Sequence, residues 1–104
     1  MMMEILEERK EKLKNGITLT IERMVTYFNV KYPLDDNRTV VINGERESDG
    51  WAGYMVIRDR ESRNLTEPLI FKEVEDRRIE ELIRFIHGKI NADTVLEEVK
   101  KIII

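Results

Sequence analysis

Few side chains in this chain of 104 residues can do covalent chemistry. It holds one histidine, His87, two serines, Ser48 and Ser62, and no cysteine. Without cysteine, neither a disulfide framework nor a thiolate metal site can form. A catalytic histidine needs a nucleophile or a carboxylate set beside it. His87 instead stands immediately before Gly88 at the end of an apolar-periodic segment. There a cation is favoured by the helix dipole and can cap a carbonyl. Carboxylates gather at Asp35-Asp36 and at Glu45, Glu47 and Asp49. Hard cations use such oxygen ligands, but neither group has the spacing of a twelve-residue calcium loop. Asp-Asp-Asn and Ser-Asp-Gly are also what tight turns require. The chain has no phosphate-cradling glycine loop and no dinucleotide fingerprint. The residues therefore predict no catalytic centre, no metal and no cofactor. The enzymatic alternative is a small metal-dependent hydrolase using the acidic loops.

Binding chemistry is better supplied. The stretch GWAGYMVIRDR, residues 50–60, carries the lone tryptophan, a tyrosine and two arginines. Strand side chains alternate between two faces. If Trp51, Met55 and Ile57 point to the core, then Ala52, Tyr54, Val56, Arg58 and Arg60 point outward. Tyr54, Arg58 and Arg60, with Arg63 in the following loop, form a candidate contact surface for nucleic acid or a protein partner. Aromatic rings stack on bases and arginines hold phosphates. Asp59, Glu61, Glu45 and Glu47 interleave with these arginines, so the competing expectation is a sheet face laced with ion pairs. Arg38 and Arg46 share one parity on the neighbouring strand. Gly50 reads as a turn residue, and Gly53 as a flat spot where another segment packs closely.

Charged residues make up 38% of the chain, yet the net charge is only −3, so the two signs are mixed. This is not the electrostatic footprint of a nucleic-acid-binding domain. Glutamine is absent, and Ile, Glu, Arg and Lys dominate, a composition that points to a thermophilic source. The opening MMMEILEERK has Glu4 and no apolar core segment, so no signal peptide is expected. No apolar run approaches the roughly 20 residues that span a bilayer. A cytoplasmic protein without membrane contact is the expectation.

The elements that must position these side chains follow from periodicity. Residues 2–15 predict a helix, with Met2, Ile5, Leu6, Arg9 and Leu13 near one face and Asn15-Gly16 as its cap. From Ile17 to Tyr32 the apolar residues alternate, with a slip after Glu22-Arg23 that implies a bulge or a break. A helix over Thr20 to Asn29 competes for the same residues. Residues 38–44, 51–59 and 68–74 predict three further strands, separated by polar turns. Ile79, Leu82, Ile83 and Ile86 form an i, i+3, i+4, i+7 stripe over residues 76–87, ended by Gly88. Residues 92–103 repeat it, with Asn91 or Asp93 as N-cap. The segment LIRFIHGKINADTVLEEVKKI resembles the helix–GKI–helix hairpins appended to many small prokaryotic proteins, a resemblance that carries no function with it. Its second helix opens with acids and lacks a row of base-reading side chains, so it does not fit a DNA-reading helix-turn-helix.

The fold expected is α+β in a single domain, 1–104: an N-terminal helix, a four-stranded mostly antiparallel meander and a C-terminal αα-hairpin packed on one sheet face. The function expected first is a non-enzymatic interaction module that self-associates, from a thermophilic prokaryote or its mobile elements. Its partner is itself or another protein. The apolar supply at both ends, including the terminal KIII, motivates this. The alternative is a nucleic-acid-binding accessory protein using the Tyr54/Arg58/Arg60 strand face.

Overall fold

Alternation along GWAGYMVIRDR puts Trp51, Met55 and Ile57 on one side, and all three are buried in the core. The computed structural model describes residues 5–12, 18–24, 26–88, 90–91 and 93–104, the first two segments by backbone alone. Six strands, β1 (Ile5–Lys12), β2 (Thr18–Met24), β3 (Tyr27–Pro33), β4 (Thr39–Glu47), β5 (Gly50–Arg58) and β6 (Leu69–Val74), form one sheet in sequence order. Every neighbouring pair is antiparallel. Two helices follow, α1 (Asp76–His87) and α2 (Val95–Ile103). The α+β class, the antiparallel meander β3–β6 and the two C-terminal helices are as the sequence predicts.

Both helices cover one face of the sheet. The predicted stripe of α1, Ile79, Leu82, Ile83 and Ile86, is buried, as are Val95, Val99 and Ile103 of α2. They share one core with Phe28 and Val30 of β3, Val40 and Ile42 of β4, the inward residues of β5, and Phe71 and Val74 of β6. Each such side chain, fully buried, contributes roughly 1.5–3 kcal/mol. Of the terminal isoleucines, Ile103 is buried, Ile102 packs against the core and Ile104 is exposed. Among the described residues no helix is long and apolar enough to cross a membrane.

Two local devices let the strands fit this core. Gly44 faces Gly53 across the β4–β5 pair. A Cβ on Gly44 would stand 2.3 Å from Cε1 of Phe28. The Phe28 ring therefore occupies the space that glycine leaves, 5.4 Å from the Trp51 ring and tilted by 52°. In β6, Phe71 and Val74 are three residues apart and would face opposite sides of a regular strand. The register shifts between Trp51 and Gly53, and this bulge returns Val74 to the core side. It also places Glu73 at φ 55°, a left-handed conformation that costs a residue other than glycine about 1–2 kcal/mol. Gly50, at φ +130°, lies under this bulge, where a Cβ would stand 2.9 Å from the Val74 carbonyl oxygen.

The N-terminal half departs from expectation. Where the sequence predicts a helix over 2–15, residues 5–12 form β1, paired with β2 from Ile5↔Met24 to Lys12↔Thr18. Positions 2–4 and 13–15, with the predicted Asn15-Gly16 cap, lie outside the described residues. An isolated helix of this length is marginal in water unless an apolar face docks, and here the stripe is thin and broken by Arg9. Pairing with β2 gives the same backbone groups partners in a ladder. β2 and β3 stand where one strand over 17–32 is predicted, and together with β1 they bring the meander to six strands rather than four. The slip in alternation marks the β2–β3 hairpin, whose last pair is Arg23↔Phe28, and the competing helix over Thr20 to Asn29 does not form. Thr94, not Asn91 or Asp93, precedes α2. Asn91 instead accepts the Asp93 N–H at 2.8 Å, a local turn that delays the helix.

Candidate functional site

Among the described residues, no helix packs on the other face of the sheet. The side chains there come from the opposite parity of the same strands: Tyr27 and Lys31 of β3, Val41, Asn43 and Glu45 of β4, Tyr54, Val56 and Arg58 of β5. At its centre Asn43 links the two tyrosines. Tyr27 Oη donates to Asn43 Oδ1 at 3.3 Å, and Asn43 Nδ2 donates to Tyr54 Oη at 2.7 Å. Asn43 is opposite Tyr54, and Tyr54 is opposite Ile70 of β6, whose side chain is 67% exposed. A hollow of about 240 Å³ lies beside this row, lined also by Glu45 and Ala52. Val41 and Val56, paired across the strands, are buried on this face. Val56 thus faces away from the helices as predicted, yet is not exposed.

Toward the other end of the strands the face becomes cationic. Lys31, Arg58 and Arg60 border a concavity of about 230 Å³ together with Thr39, Val41, Asp59 and Ser62. The register explains the convergence: Lys31 pairs with Val41, and Thr39 with Arg58, so Lys31 and Arg58 flank β4 from its two sides. Arg58 Nε donates to Asn64 Oδ1 at 3.1 Å. Neither Lys31, Arg58 nor Arg60 makes an ion pair among the described residues. The loop after β5 is held by Asp59. Its Oδ1 accepts the N–H groups of Glu61 and Arg63 at 2.9 and 3.0 Å, and its Oδ2 accepts Arg63 Nε at 2.9 Å. The Arg63 N–H, ahead of its guanidinium, holds the Asp59 carboxyl below the usual carboxylate range against an opposing desolvation effect.

Of the four predicted contact residues, Arg58 and Arg60 border one concavity, and Tyr54 stands on the same face with Val56 between it and Arg58. Arg63 is not part of the group, because its guanidinium is bound to Asp59 and Glu61. The predicted ion-pair lacing holds for Arg63 alone, which pairs with Asp59 and Glu61, since Arg58, Arg60, Glu45 and Glu47 have no ionic partner among the described residues. Arg38 pairs with Asp35 and Arg46 with Asp76. Sequence reasoning missed Lys31, Tyr27 and Asn43. Parity against Phe28 and Val30 could have placed Tyr27 and Lys31 on this face, but only the strand register brings them beside Asn43 and Arg58.

The other chemical candidates are scattered. His87 is exposed in the last turn of α1. Asp35 closes a turn, accepting the Asn37 N–H at 2.9 Å and Arg38 Nε at 2.7 Å. The Arg38 guanidinium, and then the Asn37 N–H, lower its carboxyl pKa. Among the described residues no three histidine or carboxylate groups converge to hold a metal ion. What the helix-free face offers is phenol, amide, aliphatic, carboxylate and cationic groups. Comparison of the chain with protein-family models, with curated proteins and with solved structures finds no match in any of the three.

Proposed function

We propose that the protein is a non-enzymatic interaction module that self-associates through the helix-free face of its sheet. The observation that supports this reading is the charge polarity of that face. Glu45 and Glu47 stand at one end of β4, while Lys31 and Arg58 stand at the other, none with an ionic partner among the described residues. Arg58 lies opposite Thr39 and Glu45 opposite Ala52, a separation of about 20 Å along the strands. Asn43, Tyr54 and the exposed Ile70 lie between. A surface with opposite charges at its two ends complements a copy of itself turned by a two-fold axis, acid against base. The tyrosines and Ile70 would supply the apolar centre that such interfaces have.

Four strands about 4.8 Å apart and 20 Å long outline roughly 400 Å². Side-chain relief enlarges this, but the total stays near the low end of specific interfaces, so a weak, reversible dimer is expected. Sedimentation equilibrium over a concentration series tests it. A mass rising from 12.4 kDa toward twice that value supports the reading, and Ile70→Asp should hold the monomer. A monomeric mass at high micromolar concentration contradicts it.

The cations without an ion-pair partner among the described residues favour a second reading, a nucleic-acid-binding surface with Tyr54 under a base and Arg58 and Arg60 on phosphates. Its mark is salt dependence. Removing both arginines would flatten the log–log salt slope by about two, whereas Tyr54→Ala would cost roughly 1–3 kcal/mol with the slope unchanged. Absence of single-strand binding at low salt removes this reading.

A further inference from the structure

We infer that Lys31, Arg58 and Arg60 form a pocket for a tetrahedral phosphoryl dianion, either inorganic phosphate or the terminal group of a phosphomonoester. The inference goes beyond self-association and needs no second copy of the chain. Three cations from different parts of the fold, β3, the end of β5 and the turn after it, border one concavity of about 230 Å³. Like charges gathered around one hollow repel one another unless an anion sits among them. The carboxylates that flank Arg60 in sequence are already engaged: Asp59 Oδ2 by the Arg63 guanidinium and its Oδ1 by two backbone N–H groups, and Glu61 by the same guanidinium. Asp59 therefore organises the loop, and among the described residues none of the three cations has an ion-pair partner.

Two hydroxyls complete the donor set. Thr39 and Ser62 both line the concavity. Ser62 is held at φ 64°, with its N–H donating to the Asp59 carbonyl at 3.1 Å. A residue other than glycine in this conformation is strained, and such strain recurs at ligand clamps. Arginine matches tetrahedral oxyanions with two parallel N–H donors, and lysine adds a point charge. A water takes about 30 Å³ of liquid volume, so the hollow has room for an oxyanion in place of several waters. A terminal dianion suits three cations better than the single charge of each internal phosphodiester.

The test is an amide-resolved NMR titration of the full chain with inorganic phosphate, at ionic strength held constant with sodium chloride. A parallel arm uses glycerol phosphate, and a third uses a single-stranded oligonucleotide without terminal phosphate. The pocket predicts saturable shifts confined to Lys31, Thr39 and residues 58–62 with the first two ligands. Arg58→Ala with Arg60→Ala should weaken binding by about tenfold or more, as loss of charge-assisted bonds does. Arg60→Ala alone, in an exposed turn, should weaken it measurably with the remaining spectrum unchanged. The inference is overturned by no saturable response to phosphate, by unchanged affinity in these variants, or by binding of the oligonucleotide alone. Repeating the phosphate arm in Ile70→Asp separates it from self-association: binding to that monomer stands even where no dimer forms.

Discussion

The indole Nε1 of Trp51 donates to Asp76 Oδ1 at 2.8 Å. The same oxygen accepts Arg46 Nε at 3.0 Å. One carboxylate in the first turn of α1 thus ties the helix to β4 and β5 at the sheet end where the bulge lies. An acidic residue there also suits the helix dipole. Asp76→Ala should destabilise by about 1–2 kcal/mol, since the Trp51 N–H loses its partner and the largely exposed ion pair adds little. Asp76→Asn keeps an acceptor for the indole and should cost less. Trp51→Ala should cost about 3–5 kcal/mol. Urea denaturation midpoints check all three, and the Trp51 emission maximum should lie well to the blue of free indole.

The Phe28 ring and Gly44 should behave as one unit. Gly44→Ala forces the ring out of its slot and should cost about 1–3 kcal/mol, as overpacking does. Phe28→Leu should then cost less in the Gly44→Ala background than in the native chain. A double-mutant cycle measures this coupling, and strict additivity would show that the ring does not fill the glycine slot.

How far the sequence could be read depends on whether a feature is local. The parity of Trp51, Met55 and Ile57 and the stripe from Ile79 to Ile86 are set by periodicity, and both were legible. The β1–β2 pair was not, because Ile5 to Lys12 carries a helix-like charge pattern and its strand state comes from pairing with Thr18 to Met24. The bulge at Glu73 was hidden because it breaks the alternation that reveals strands. Half of the candidate site, Arg58 and Arg60, came from one strand and its turn. Lys31 and Asn43 required the register, which no single segment encodes. That Arg58 and Arg60 make no ion pair among the described residues was hidden too, since Asp59 stands next to both in sequence but binds Arg63.

Acid should loosen the loop that carries Arg60 and Ser62. The Asp59 carboxyl is lowered in the folded chain, so the unfolded chain binds more protons at a given acidic pH. Its contribution is therefore complete above the unfolded carboxylate value of about 3.9 and is lost as pH falls through the folded value. A carboxyl-detected NMR titration should place Asp59 below a model aspartate. Asp59→Asn should reduce the pH dependence of the melting temperature in that window.

Phosphate and self-association should compete, because Lys31 and Arg58 serve both. At equal ionic strength, phosphate should weaken the dimer more than chloride does. In Arg60→Ala the difference between the two anions should shrink. Sedimentation in matched buffers checks this, and identical effects of the two anions in the native chain would separate the pocket from the dimer face.

The most direct measurement is the mass of two charge-reversed chains, alone and mixed. In the two-fold arrangement Glu45 of one copy opposes the Arg58 end of the other. Glu45→Arg alone and Arg58→Glu alone each set like charges against each other and should be monomeric where the native chain is dimeric. An equimolar mixture of the two variants restores opposite charges at both ends, so the mixture should regain the dimer mass. Undiminished self-association of either single variant, or a mixture no heavier than its components, contradicts the account.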